Sequence, residues 1–174
     1  MRTLLLALFS LLAACQQAPA LPDLQIPGEI VDLNTGVAMT PEQLVSELAR
    51  ADVILVGERH DNADHHVLQR WLLEALAQRN PPGSLLLEML NPDQQARVDH
   101  VRSRLAAGER PTDLPGALDW QPGWDWAQYG DLVEYALQQP WPLYAANLDR
   151  DEILGVYRDP PALIGEMSSA KPVQ

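Results

Sequence analysis

Cysteine, phenylalanine and basic residues are scarce in this chain of 174 residues, which has one Cys, one Phe and 12 Lys and Arg against 24 Asp and Glu. A single cysteine excludes an internal disulfide and a cysteine-based metal site. The formal net charge of −12 disfavours nucleic acid and anionic lipid surfaces as partners, because like charges repel. Beyond the first residues, no apolar stretch reaches the roughly twenty residues that span a bilayer. The length suffices for one domain with a hydrophobic core.

The N-terminus has the three-part layout of a secretory signal peptide. Arg2 supplies a positive charge, residues 4–14 form an apolar run, and Cys15 follows. The sequence Leu-Ala-Ala-Cys at 12–15 is similar to the lipobox of bacterial lipoproteins, in which the cysteine is lipidated after cleavage. We therefore predict a signal peptide over residues 1–14 and lipidation of Cys15. Lipidation would consume a thiol that is otherwise a liability in an oxidising compartment.

The mature chain is predicted to begin with a tether. Residues 15–27 comprise the lipidated cysteine and a segment with three prolines and little apolar patterning, typical of a semi-extended linker. Gln16, rather than Asp, follows the cysteine, which by the usual sorting rule favours the outer membrane of a bacterial cell envelope. Residues 28–174 are then the folded domain.

Helix and strand signals alternate along this domain. Short apolar runs predict strands at 53–56, 84–88 and 141–146, and three-and-four spacing predicts helices at about 40–52, 65–78, 91–107 and 125–139, with a last helix opened by Asp149 or Asp151. Residues 108–123 are predicted to be a loop. The βαβαβ order predicts an α/β fold, a parallel sheet with flanking helices. Three strands make a thin sheet, so the sequence also predicts an incomplete domain.

Polar side chains follow each predicted strand. Glu58 and His60 come after the first strand, Glu88 ends the second, and Asn147 follows the third. Because ligands bind at the carboxyl ends of parallel strands, these residues are the candidates for function. Glu88 is the hardest to explain structurally, since burying a carboxylate costs several kcal/mol unless it is paired. The structural alternative is a helix cap or a salt bridge with Arg59.

Histidines cluster next to the first of these positions. Glu58, His60 and Glu88 can hold a metal ion or activate a water molecule. His65 and His66 are neighbours on a predicted helix and point about 100° apart, so both cannot face one site. One of them is therefore expected to face solvent or cap the helix. His100 is predicted to lie on the surface.

The motif Val-Gly-Glu-Arg-His-Asp-Asn at 56–62, followed by His65 and His66, resembles the ChaN family of haem-binding lipoproteins. That family is related to a wider group that includes TIKI proteins and erythromycin esterases. The resemblance spans roughly residues 28–157. It includes Glu-Met at the end of the second predicted strand, the tryptophan-rich stretch 120–129, and Pro-Leu-Tyr-Ala-Ala-Asn-Leu at 142–148.

The resemblance implies haem binding with tyrosinate ligation, which suits ferric iron because a phenolate is a hard ligand. It points to Tyr129, His60 and His65 as cofactor-binding candidates. Tyr129 lies in the matching tryptophan-rich motif, but on a helix it can equally pack in the core with its hydroxyl hydrogen-bonded. The other tyrosines are Tyr135, Tyr144 and Tyr157, and the sequence does not choose among the four.

The leading hypothesis is thus a haem-binding envelope lipoprotein that assists haem and iron acquisition without catalysis. The resemblance implies as partners haem, the membrane through the lipid anchor, a second copy of the chain, and an outer-membrane haem receptor. The related esterases imply an alternative, a metal-dependent or histidine-dependent hydrolase with His60 as general base and Glu58 or Glu88 orienting it. A third interpretation is an inactive protein that only packs against a partner. Family members continue past the third strand with a second glycine-x-x-histidine motif, so this sequence is expected to be a fragment or a truncated member.

Overall fold

The computed structural model describes residues 20–24, 28–81 and 83–161. The predicted signal peptide, Cys15 and most of the predicted tether lie outside the described residues, as does most of the segment after Asp159. Residues 20–24, from the predicted tether, contact the domain. Leu21 and Leu24 pack against buried side chains, and the carbonyl oxygen of Pro22 accepts a 2.8 Å hydrogen bond from Trp71 Nε1.

The domain begins with a β-hairpin that the sequence analysis did not predict. Strands β1 (Ile30–Asp32) and β2 (Val37–Met39) pair antiparallel. The turn between them is fixed by Asp32, whose carboxylate accepts hydrogen bonds from Asn34 N and Thr35 Oγ1. Gly36 completes the turn with φ 72°, a conformation that glycine adopts without steric cost.

Two helices follow. Helix α1 (Pro41–Leu48) starts at the predicted capping box, in which the side chains of Thr40 and Gln43 each bond the other residue's backbone. Helix α2 (Ala63–Arg79) is capped by Asn62, whose side chain accepts from Asp64 N at 3.0 Å. Both predicted helices are confirmed in type, with ends that differ by a few residues.

The remaining elements build a small parallel sheet and its helical cover. Strand β3 (Leu85–Leu87) pairs in parallel with β4 (Leu143–Ala145), with Leu86 opposite Tyr144. A 3₁₀ turn (Pro92–Gln94) and helices α3 (Gln95–Ala106), α4 (Leu114–Leu118) and α5 (Trp126–Gln138) lie between β3 and β4. Helix α6 (Arg150–Arg158) follows β4. The α/β class, with a parallel sheet and flanking helices, is confirmed. Helix α4 falls in the predicted loop.

The predicted strand at 53–56 is not formed. Residues 53–59 have no regular secondary structure, and Leu55 is 92% exposed. The pattern of this segment is that of a strand covered on both faces, but in the described structure it pairs with neither β3 nor β4. An apolar run becomes a strand only when a neighbouring strand satisfies its backbone, so the prediction was wrong here for a non-local reason.

Two clusters of buried side chains hold the domain together. The larger one lies between β3, β4, α3, α4 and α5 and includes Leu90, Leu118, Val133 and Leu143. The smaller one joins α1 and α2 through Val45, Trp71 and Ala75. Among the helices in the described part of the chain, none is long and apolar enough to span a membrane.

Candidate functional site

The turn that precedes α2 presents Glu58 and His60 to opposite environments. The turn is fixed to the helix because Arg59 N donates a 2.9 Å hydrogen bond to His65 Nδ1. Glu58 points inward, and its side chain is 8% exposed. The His60 side chain points outward and is 57% exposed. Local hydrogen bonding thus sets one buried acid beside one accessible imidazole.

Helix α5 closes the site from the other side. Its N-terminus is capped by Asp125, which accepts from Ala127 N, and one turn later Tyr129 is 1% exposed. The Tyr129 hydroxyl donates a 2.5 Å hydrogen bond to Glu58 Oε1. A hydrogen bond to a carboxylate is roughly twice as strong as one between neutral groups. Tyr129 therefore joins α5 to the turn before α2.

His60 completes the exposed side of the network. Its Nδ1 lies 2.7 Å from Glu58 Oε1 and 3.4 Å from the Tyr129 hydroxyl. The ring stands edge-on to Trp124, with centroids 4.8 Å apart. One ring nitrogen is thus bound to the carboxylate, and packing against an indole holds the ring in place.

His66 completes the buried side. Its Nε2 lies 3.2 Å from the His60 carbonyl oxygen and 3.1 Å from Gln128 Oε1. Its Nδ1 lies 2.8 Å from Glu58 Oε2, a contact that is an ion pair when the ring is protonated. Neither His66 Nδ1 nor Glu58 Oε2 has a hydrogen bond of regular geometry to any described residue. His66 therefore packs against the buried oxygen of Glu58.

The surroundings shift the pKa values of Glu58 and Tyr129 in opposite directions. Burial alone raises the pKa of Glu58, but hydrogen bonds from Tyr129 and His60 and the nearby charges of His66 and His60 outweigh it and leave the pKa lowered. Burial, the hydrogen bond to Glu58 and the negative charges of Glu58 and Glu88 raise the pKa of Tyr129 far above its usual value. The pair is thus a carboxylate and a protonated phenol at neutral pH.

Glu88 lies apart from this network. It follows β3 in a turn and is exposed, and its charge reaches the site only as one contribution to the raised pKa of Tyr129. Arg59, its suggested partner, lies 3.7 Å from Asp61 instead. Among the described residues, no group of three or more His, Cys, Asp or Glu side chains is placed to hold a metal ion. The suggested set of Glu58, His60 and Glu88 is therefore not assembled as a metal site.

The remaining predicted candidates have other surroundings. The His65 ring accepts the hydrogen bond from Arg59 N, so it acts as a brace for the turn. Tyr135 is half-buried under the Arg70 guanidinium, which lies 3.6 Å from the ring centroid. Tyr144 and Tyr157 are exposed. His100 is exposed on α3, as the sequence predicted.

A surface cleft of about 360 Å³ adjoins the site at the ends of β3 and β4. Trp124 lines it, and the same indole contacts both His60 and Tyr129. Asn147, Leu148 and Ile153 form part of its wall. The cleft therefore lies where a parallel sheet is expected to bind a ligand.

Gln128 is not among the residues predicted from the sequence, which also leaves open whether His65 or His66 is buried. Gln128 lies 62 positions from His66, which it contacts, so the spacing along the chain does not indicate that the two residues pair. Its place beside Tyr129 in the tryptophan-rich motif is the one local hint. The contact of Trp124 with His60 had no signal beyond that motif.

Comparison with known proteins places this arrangement in a family. The model of the family described as "Haem-binding uptake, Tiki superfamily, ChaN" matches residues 44–172. The structure of ChaN of Campylobacter jejuni, a protein described as binding haem cofacially, is similar at 30% sequence identity with a TM-score of 0.69. No curated protein matches the chain.

The chain belongs to the ChaN family of the Tiki superfamily. The similarity to the Campylobacter jejuni protein covers 82% of this chain and 57% of that one. The chain therefore spans little more than half the length of that relative.

Proposed function

We propose that this protein binds haem at the bacterial cell envelope in support of haem and iron acquisition. The match to the haem-binding family over residues 44–172 carries this proposal. The similarity to a ChaN described as binding haem supports it further, and the residues matched by the family model include Glu58, His60 and Tyr129. The net charge of −12 is consistent with a ligand other than nucleic acid.

One residue of the site, His60, offers a donor atom that suits haem iron. His60 has one ring nitrogen on Glu58, its side chain is 57% exposed, and its ring packs against Trp124, an indole that lines the cleft. Imidazole nitrogen is a common axial ligand of haem iron. For Tyr129 to act as the ligand, it would have to leave both its buried position and Glu58. For His65 to act as the ligand, its ring would have to give up the hydrogen bond from Arg59 N. We therefore favour His60 among the three candidates.

Titration of the purified protein with hemin, followed by absorbance, tests this proposal. We expect a saturable change in the Soret band and weaker or spectrally altered binding in His60→Ala. His100→Ala is the matched control because His100 is an exposed histidine outside the site. If His60→Ala and His100→Ala bind hemin with identical spectra, His60 is not the contact.

We further propose that the protein is a lipoprotein anchored through Cys15 in the outer membrane. The lipobox-like sequence at 12–15 and Gln16 support this. Two acyl chains give stable anchoring where one gives only marginal binding. Metabolic labelling with palmitate should mark the wild-type chain and not Cys15→Ser. Labelling of both would contradict the assignment, and fractionation of the envelope then tests the outer membrane.

Partners follow from the same proposal. We infer that haem binding is linked to formation of a homodimer and that an outer-membrane haem receptor exchanges haem with the protein. Sedimentation analysis with and without hemin tests the first of these. A distribution of species that hemin leaves unchanged would count against a haem-linked dimer.

A second candidate function is hydrolysis of an ester or peptide. The pairing of His60 with Glu58 favours it, because a carboxylate that orients an imidazole with a free second nitrogen is the arrangement of a general base. Turnover of activated esters that His60→Ala abolishes, with the fold intact, would support it. Equal turnover by wild type and His60→Ala would remove His60 from this role.

A further inference from the structure

We propose that residues 20–24, which we call the clasp, dock onto the groove between α1 and α2, so that a lipid on Cys15 holds that side of the domain close to the membrane. Part of the predicted tether then belongs to the folded domain and decides which side of the domain faces the bilayer. The placement at the membrane rests on the lipidation of Cys15 proposed above, whereas the docking of the clasp does not.

The clasp is bound to α2 through a buried indole. The Pro22 carbonyl oxygen accepts a 2.8 Å hydrogen bond from Trp71 Nε1, and Trp71 is 5% exposed. An indole has one N–H donor and no acceptor, so this bond satisfies its whole hydrogen-bonding capacity. A buried donor that loses its partner destabilises the folded state. Because Trp71 is buried, its bond to Pro22 favours the docked clasp.

Apolar contacts fix the clasp on either side of that bond. Leu21 and Leu24 pack against the smaller of the two buried clusters. That cluster joins Val45 of α1 to Ala75 of α2, and both side chains are fully buried. Burial of apolar surface is a strong driving force for such docking. The clasp therefore covers the contact between two helices, and its removal would expose part of their shared core.

The clasp shortens the connection between the proposed anchor and the domain. Cys15 and Ala20 are five positions apart, and an extended chain advances at most about 3.6 Å per residue, or about 18 Å over this distance. A connection that ran to Gly28, where the predicted domain begins, would reach about 47 Å by the same measure. Docking of the clasp therefore keeps its point of attachment on α1 and α2 within about 18 Å of the lipidated residue.

Charge on the protein does not supply this proximity. The exposed acids Glu42, Glu47 and Asp52 lie in and directly after α1, and the chain has a formal net charge of −12. An anionic lipid surface repels a domain of this charge. Proximity of α1 to such a surface therefore has to come from the anchor and the clasp.

The clasp and the candidate site lie on different sides of α2. Trp71 receives the clasp and His66 belongs to the site, and their separation of five positions corresponds to about 140° around the helix axis at about 100° per residue. Helix α5 packs on the side that carries His66, through Gln128 and Tyr129. With the clasp toward the bilayer, the site is turned away from it. A ligand would then reach the site from the aqueous side rather than from the lipid.

The first test measures docking of the clasp without a lipid anchor. In the protein with Cys15→Ser, we expect the Trp71 indole N–H to exchange slowly with solvent in NMR hydrogen-exchange spectra. The further substitutions Leu21→Asp and Leu24→Asp should abolish this protection, and Leu33→Asp, at an exposed position of the hairpin turn, should leave it unchanged. Rapid exchange in the Cys15→Ser protein overturns the docking, even if the variant with both substitutions does not fold. Equally slow exchange in that variant also overturns it.

The second test measures the orientation of the lipidated protein on vesicles of phosphatidylethanolamine and phosphatidylglycerol. A donor dye is attached through Glu47→Cys in α1 or Asp131→Cys in α5, both exposed acids, and energy transfer to acceptor lipids is recorded. We expect stronger transfer from position 47 than from position 131, and loss of that difference when Leu21→Asp and Leu24→Asp are added. Equal transfer from the two positions, or a difference that these substitutions leave unchanged, overturns the orientation.

Failure of the clasp and failure of the proposed anchor give different results. If palmitate does not label the wild type, the membrane arrangement falls with the anchor, whereas slow exchange of the Trp71 N–H still establishes the docked clasp. If palmitate labels the protein and energy transfer is equal from both positions, the anchor stands and the orienting role of the clasp is wrong.

Discussion

Tyr129 donates its hydroxyl hydrogen to Glu58 at 2.5 Å although the two residues are 71 positions apart in the chain. This bond connects α5 to the turn before α2. Because Glu58 also contacts His60 and His66, one buried carboxylate organises the site from both sides. Stability and site geometry are therefore coupled through Tyr129 and Glu58.

Removal of the Tyr129 hydroxyl should destabilise the fold. Tyr129→Phe retains the ring and its packing but leaves the buried carboxylate with one donor fewer. A hydrogen bond to a charged group contributes about 1.5–3 kcal/mol to stability, so we expect a loss of that order in the free energy of unfolding. Urea denaturation measures it, with Tyr157→Phe as the exposed control. Equal midpoints for the two variants would show that this bond does not contribute.

Acid should weaken the fold through Glu58. Its pKa is lowered in the folded protein relative to the reference value of 4.5, so its stabilising contribution is complete above that value and is lost as the pH falls through the folded pKa. The difference in unfolding free energy between wild type and Glu58→Gln should therefore shrink as the pH falls below the reference value of 4.5. The comparison cancels the other acids, which both proteins share. A difference that stays constant over this range would contradict the lowered pKa.

Tyr129 should resist ionisation at alkaline pH. Its pKa is raised in the folded protein, so its contribution to stability is complete below the reference value of 10.0 and is lost only as the pH rises through the folded pKa. In the native protein at about pH 11, the tyrosinate absorbance of wild type and Tyr129→Phe should be equal. In urea, the tyrosinate absorbance of Tyr129→Phe should be one quarter lower than that of the wild type, because the variant has three of the four tyrosines. A smaller native signal in Tyr129→Phe would mean that this phenol ionises normally.

The larger core should be sensitive to truncation. Leu118 is fully buried at the end of α4, so Leu118→Ala leaves a cavity and should cost about 2–5 kcal/mol. Leu33→Ala, at an almost fully exposed position in the hairpin turn, should change the unfolding free energy little. Thermal or urea unfolding of the two variants checks this. A small effect at Leu118 would mean that α4 is not integral to the core.

Local chemistry in the sequence predicted the helices better than the strands. Thr40 and Gln43 cap α1 through bonds within four residues, so the signal and the structure coincide. The predicted strand at 53–56 would need a neighbouring strand to pair with, and an apolar run in the sequence does not show whether one is present. Helix α4 escaped prediction because Pro115 and Gly116 are poor helix formers, and it is stabilised by the Asp113 cap on Gly116 N.

The site was predictable in part for the same reason. Glu58 and His60 lie two positions apart, and the motif that contains them indicated a joint role, which their 2.7 Å contact is consistent with. Tyr129, which bonds Glu58 across 71 positions, and Gln128, which contacts His66 across 62, both come from α5. Their contacts depend on how α2 and α5 pack, which no spacing in the sequence encodes.

Titration of the protein with hemin tests the central claim most directly. We expect saturable binding with a shifted Soret band, and a spectrum that changes in His60→Ala and stays the same in His100→Ala. A titration curve that matches hemin added to buffer alone, with no saturation and no shift of the band, would contradict it.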